Sequence, residues 1–149
     1  MGDRWGGVPL EKTPRAVPRD ILRILVADDQ EAIRKRVRSI LVSKKDFEVC
    51  AEAPNGREAV EKARELKPDL IILDITMPEL NGLDAARMIK QFSPETPIVF
   101  LSVHKSRQLM YEAQKIGVQG YVTKEDANQD LIKAADAVLQ KLTFFPQEF

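Results

Sequence analysis

Asp28, Asp29, Asp74, Ser102 and Lys124 are the residues of this chain whose types and positions suggest chemistry. Three carboxylates gathered within a few ångströms repel, and the ordinary remedies are protonation or a bound cation. Hard oxygen ligands in an open crevice favour Mg²⁺, which keeps several waters and binds through only a few carboxylates. Such an ion leaves room for a phosphoryl group, whose oxygens it would share. A lysine ammonium across the site would add compact positive charge, and a serine hydroxyl one hydrogen bond. Phosphoryl transfer needs mainly alignment and charge stabilisation, because its transition state is loose. An aspartate can itself accept the group as an acyl phosphate. Asp74 is the best placed to do so, since it closes the most apolar run, Leu70-Ile71-Ile72-Leu73, with acidic cation ligands beside it.

The elements that must position these groups follow from the hydrophobic pattern. Residues 22–27 are rich in branched apolar side chains, as a buried strand requires. Ile33, Val37, Ile40 and Leu41 then define one face of a helix over 30–44. The alternation continues with strands over 47–51, 70–73, 97–101 and 120–123, and helices over 56–66, 83–92 and 106–116. Gly117 is a helix stop. A last helix over 126–142 turns Leu131, Ala135, Val138 and Leu142 inward. Five strand–helix units in succession predict an α/β fold, a flavodoxin-like, doubly wound parallel sheet in the order 2-1-3-4-5. Function on such a sheet lies in the crevice beyond the carboxyl ends of the strands. Asp28 and Asp29, Asp74, Ser102 and Lys124 each follow the end of a predicted strand. Singly they have plainer readings: a helix cap for Asp29 or Ser102, a turn residue for Asp28 or Asp74, a solvated lysine for Lys124. Their coincidence at successive strand ends favours a site.

Composition narrows the alternatives. The 149 residues carry 23 basic and 23 acidic side chains, so no bulk electrostatic attraction holds this chain to nucleic acid or to a membrane surface. One cysteine, Cys50, and one histidine, His104, exclude an internal disulfide and Cys- or His-rich metal sites. No apolar run approaches the roughly 18 residues of a membrane span, and residues 1–20 lack a signal-peptide layout. The expectation is a cytoplasmic protein. Residues 1–20, with Pro9, Pro14, Pro18 and an unassigned Trp5, read as a disordered leader, and 21–143 as one domain. Phe144-Phe145-Pro146 either closes the last helix against the sheet edge or opens a linker within 144–149. Cys50 reads as a small buried hydrophobe, and the Arg34-Lys35-Arg36-Arg38 run as a charged solvent face.

The stretch from Ile24 to Leu142 resembles the receiver domain of bacterial two-component response regulators. The resemblance rests on ILVADD (24–29), LIILDITMPELNGLD (70–84), PIVFLS (97–102) and GYVTK (120–124). It is nearest to receivers that precede a LuxR-type helix-turn-helix, judging from GYVTKEDANQDLIKAADAV followed by FFP. It implies that Asp74 takes a phosphoryl group from a histidine kinase or phosphotransfer protein, so that the chain acts as a phosphorylation-driven switch rather than a turnover enzyme. Asp28, Asp29 and Asp74 would hold Mg²⁺, with the Thr76 backbone carbonyl as a further ligand. Lys124 would pair with the phosphoryl oxygens. Ser102 would swing toward them, and Tyr121 would follow it inward as the switch aromatic. The resemblance also implies output through the fourth helix, fifth strand and fifth helix, with homodimerisation there as one form of it. Kinase docking would fall near the basic run, beside Ile33 and Val37. Any transcriptional output would need an effector domain outside this chain, which is not expected to bind nucleic acid directly. Val103 stands where many relatives have alanine; it would either narrow access to an acyl phosphate and slow its hydrolysis or merely fill space. Thr76 and His104 flank the site at positions that could order or exclude the attacking water, and His104 reads first as a half-exposed loop residue with no catalytic part.

Other classes fit less well. A flavin carrier on this fold needs small hydroxyl residues and free amides after the first strand, where this chain has Asp28-Asp29-Gln30-Glu31. No G-x-G-x-x-G or G-x-x-x-x-G-K-[ST] sequence occurs. An aspartyl-phosphate phosphohydrolase needs a second aspartate two residues after the nucleophile, and that residue is Thr76. A phosphorylation-independent interaction module is the remaining alternative, although it would not require the full acidic and lysine set that is present.

Overall fold

The computed structural model describes residues 21–147. Its strands are β1 (Leu22–Ala27), β2 (Phe47–Ala53), β3 (Leu70–Asp74), β4 (Ile98–Ser102) and β5 (Gly120–Thr123). The helices between them are α1 (Glu31–Val42), α2 (Gly56–Leu66), α3 (Gly82–Phe92) and α4 (Arg107–Ile116), with α5 (Ala127–Leu139) last. One turn of 3₁₀ helix, Lys124–Asp126, joins β5 to α5. All strand pairs are parallel, as the alternation predicts, and the order β2-β1-β3-β4-β5 is the expected flavodoxin-like one.

Each strand alternates its side chains between two apolar layers. Leu25, Ile71, Leu73, Phe100 and Tyr121 face α2, α3 and α4. Ile24, Val26, Ile72, Leu101 and Val122 face α1 and α5. The central strands β3 and β4 are buried along their whole length, which is why they read as unbroken apolar runs. Capping side chains set three of the helix starts: Asn55, Asn81 and Ser106 accept the backbone N–H groups of Glu58, Asp84 and Leu109. Gly117, at φ 97°, ends α4 in the left-handed conformation.

Three expectations need correction. Leu142 is not inward: α5 stops at Leu139, and Leu142 is 58% exposed. The stop is a Schellman turn in which Leu142 N–H bonds the Ala137 carbonyl and Lys141 N–H that of Val138, with Lys141 at φ 68°. Cys50 is only half buried, because β2 bulges there. Ile24 pairs with Val49 and Leu25 with Ala51, so Cys50 is the extra residue. Val37, expected near a docking face, is buried in the core. Past the α5 turn, Phe144 forms a parallel bridge to Gly120, donating to the Gln119 carbonyl and accepting from Tyr121 N–H. Phe144 and Phe145 thus pack on opposite apolar layers at the open edge of β5. The proposed leader, Trp5 included, lies outside the described residues.

Candidate functional site

The register of the sheet aligns the residues read from the sequence. Ala27 pairs with Leu73, so Asp28 and Asp74 leave their strands side by side. Ser102 pairs with Thr123, so Lys124 follows immediately across from it. Asp28, Asp29 and Asp74 each offer a carboxylate oxygen within 4.8 Å of the others. Asp28 and Asp74 are buried, while Asp29 faces solvent at the mouth. Lys124 Nζ lies 2.7 Å from Asp28 Oδ2 and 3.5 Å from Asp74 Oδ2.

The acidic pair is under electrostatic load. Burial, and then the negative charge of Asp28, push the Asp74 carboxyl up to about 6, against the opposing pull of the Lys124 ammonium. Asp28 Oδ1 accepts the Gln30 N–H at 2.9 Å, and Asp74 Oδ1 accepts the Thr76 N–H at 3.3 Å. Asp28 Oδ2 is buried and accepts no hydrogen bond among the described residues. Its contact with Lys124 is therefore an ion pair without hydrogen-bond alignment. A buried carboxylate oxygen left open, beside two further carboxylates on an accessible mouth, suits a hard divalent cation. The residues present fit Mg²⁺.

The β3–α3 loop is pressed tightly over Asp74. Gly82 N–H donates to the Ile75 carbonyl, and a β-carbon built on Gly82 would lie 2.1 Å from the Asp74 carbonyl oxygen. Gly56, at the start of α2, meets the same loop: a β-carbon there would lie 1.8 Å from the Leu80 carbonyl oxygen. The Arg57–Glu79 ion pair spans the same junction at 3.0 Å. Sequence reasoning missed both glycines as site residues, since a close approach between distant backbones leaves no periodic signal.

The β4–α4 loop carries the remaining groups. Ser102 Oγ accepts the His104 N–H at 3.0 Å, and Ser106, not Ser102, caps α4. Tyr121 already lies fully buried between the layers, its hydroxyl donating to the His104 carbonyl at 2.8 Å and in hydrogen-bond contact with Ser102. Burial pushes its phenol pKa upward. The His104 side chain and Val103 are both exposed, Val103 at 65%.

The basic run on α1 is more than a solvent face. Arg34 donates to Glu52 and to the Asp28 carbonyl, Arg38 pairs with Glu52, and Arg36 donates to the Lys124 carbonyl. Side-chain reach across three strand ends was not visible in a run of like charges.

A doubly wound parallel sheet with three acids, a hydroxyl and a lysine at its carboxyl edge defines a class of phosphate-handling switch domains. The family model described as the response regulator receiver domain matches residues 24–136. The chemotaxis protein CheY of Thermotoga maritima is 39% identical over 116 residues, covering 78% of this chain and 96% of that protein. The transcriptional regulatory protein LnrK of Bacillus subtilis is 35% identical over 118 residues, but this chain spans only 54% of its length. Among solved structures, a LuxR-family two-component response regulator from an Aurantimonas species superposes with a TM-score of 0.80 at 30% identity. That match covers 83% of this chain and 89% of the other. The chain belongs to the response regulator receiver family.

Proposed function

We propose that Asp74 is the phosphoryl acceptor, supplied by a histidine kinase or a phosphotransfer protein. The observation that carries this is the convergence of Asp28, Asp29 and Asp74 around a buried, open carboxylate oxygen, with Lys124 facing the same point. An Asp74 carboxylate oxygen forms a bond to phosphorus as the donor's bond to phosphorus breaks, the electron pair leaving on the donor. With its carboxyl held at about 6, Asp74 is mostly ionised at neutral pH and so nucleophilic. Asp28, Asp29 and Asp74, with the Thr76 carbonyl, would hold Mg²⁺, which neutralises charge between the carboxylates and the incoming group. Lys124 stabilises the phosphoryl oxygens from the opposite side, and Ser102 donates its hydroxyl to them.

Phosphorylation turns the Asp74 carboxylate into an acyl phosphate that carries about −1.5 to −2 charges and three terminal acceptor oxygens, a net gain of about one negative charge at that spot. Drawing Ser102 Oγ to the phosphoryl group breaks its bond from His104 N–H, and the Tyr121 hydroxyl reads the new loop position through the His104 carbonyl. This gives the switch, with residues 21–143 as the receiver and α4, β5 and α5 as its output face. Homodimerisation through that face and a cytoplasmic location go with this reading. No helix among the described residues is long and apolar enough to cross a membrane. Transcriptional output would belong to an effector outside the receiver.

Intact mass after incubation with acetyl phosphate and Mg²⁺ tests the reading, with Asp74→Asn in parallel. One Mg²⁺-dependent phosphoryl adduct on wild type, absent in the variant, is expected. An absent adduct together with no beryllofluoride complex would leave a phosphorylation-independent module instead.

A further inference from the structure

Asp28 is held at every backbone atom that can hydrogen-bond. Its N–H donates to the Ala53 carbonyl on β2 at 3.0 Å, continuing the sheet one residue past β1. Its carbonyl lies beyond the last paired residue of β1, where no strand supplies a donor. Arg34 supplies it: Nη1 reaches back from the first turns of α1 and donates to the Asp28 oxygen at 2.7 Å. The guanidinium is itself fixed, because Nε donates to Glu52 Oε1 at 3.0 Å. Glu52 in turn is gripped by Arg38 on its other oxygen, at 2.7 Å and 3.0 Å, and its backbone carbonyl accepts from Lys62. The hydrogen bonds from Arg38 and Arg34 keep the Glu52 carboxyl below the ordinary range, so it stays charged and offsets the guanidinium. Arg34 thus contributes geometry beside the acidic pocket while its charge is largely neutralised.

We infer that Arg34 is a positioning residue for the cation site, setting the β1–α1 loop so that Asp28 Oδ2 and Asp29 face Asp74. The geometry requires a fork. Two different guanidinium nitrogens bond Glu52 and the Asp28 carbonyl at once, which a lysine ammonium on its flexible stem does not reproduce. With the Asp28 N–H, carbonyl and Oδ1 all hydrogen-bonded, Oδ2 is left with the Lys124 ion pair and lies within the cluster of Asp28, Asp29 and Asp74 carboxylates. The inference rests on the acidic pocket binding Mg²⁺, as proposed above.

Calorimetric titration of the full chain with Mg²⁺ alone tests it, for wild type, Arg34→Met, Arg34→Lys and Arg38→Met, each first checked for native circular dichroism. Loss of a residue that orients a metal ligand costs about tenfold or more in affinity. Both Arg34 variants are therefore expected to raise the Mg²⁺ dissociation constant about tenfold and to speed amide exchange at Asp29 and Gln30. Arg38→Met keeps the Arg34 contact to Asp28 and loosens only Glu52, so it should weaken binding less than either Arg34 variant. Wild-type affinity in a folded Arg34→Lys would overturn the positioning role, since charge alone would then suffice. Equal weakening in Arg38→Met would overturn the assignment to the Asp28 carbonyl. A wild-type chain that binds no Mg²⁺ would instead remove the cation site itself.

Discussion

The protonation of Asp74 makes a quantitative prediction about stability. In the fold its carboxyl is pushed from 3.8 to about 6, first by burial and then by the Asp28 charge. That shift of roughly 2 pH units corresponds to about 3 kcal/mol at 1.36 kcal/mol per unit. The unfolded chain releases this proton near 3.8, so between the two values the native state holds more protons. Stability therefore falls as pH rises through that window, and the full cost persists above it. Asparagine has nearly the same shape without the charge. Asp74→Asn should accordingly stabilise the cation-free chain by about 2–3 kcal/mol near pH 8, or roughly 10 °C in midpoint for a domain of this size. The gain should vanish near pH 4. Urea unfolding in EDTA, followed by circular dichroism across that pH range, measures it. Adding Mg²⁺ should narrow the difference, because a cation bound only to native wild type stabilises it by mass action. A variant no more stable than wild type near pH 8, or a gain unchanged near pH 4, would refute the account.

Three other substitutions probe the surroundings. Gly82→Ala forces a methyl against the Asp74 carbonyl oxygen, 2.1 Å away, and should cost about 1–3 kcal/mol by urea unfolding while weakening Mg²⁺ binding in calorimetry. Lys124→Met leaves Asp28 and Asp74 without their ammonium. It should destabilise the cation-free chain by about 3 kcal/mol, yet tighten Mg²⁺ binding because a competing positive charge is gone. Tyr121→Phe removes the hydroxyl bonded to the His104 carbonyl. It should cost about 1 kcal/mol, and nuclear magnetic resonance should show shifts concentrated at residues 102–106.

The sheet and the acidic pocket were legible in the sequence because both depend on short-range patterns. Strands buried on two faces must be largely apolar, so β3 and β4 announced themselves, and the polar residues that close them, Asp74 and Ser102, stood out. What failed depended on backbone geometry. The Schellman turn ending α5 places Lys141, not glycine, in the left-handed conformation, so the apolar spacing of Leu142 seemed to continue the helix. The bulge at Cys50 shifts β2 by one residue, which alternation alone cannot reveal in a seven-residue strand.

The division within the site has the same physical origin. Asp28 and Asp74 hold charge that the fold does not fully satisfy, as the open Asp28 Oδ2 and the raised Asp74 carboxyl show. Unsatisfied polar residues at the ends of apolar strands are conspicuous in a sequence, and they are also the groups free to bind a ligand. Arg34, Glu52 and Gly82 are the reverse. Each is fixed in place, by two hydrogen bonds, by a pair of guanidinium groups, or by close backbone packing. Such residues lie where long side chains or backbones meet across sequence gaps, so nothing nearby in the chain marks them. The loops that carry the aspartates are the ones this quieter set hydrogen-bonds or packs against. Substitutions in Arg34 or Gly82 should therefore act through the geometry of the aspartates, and Mg²⁺ affinity is the quantity that reads that geometry most directly.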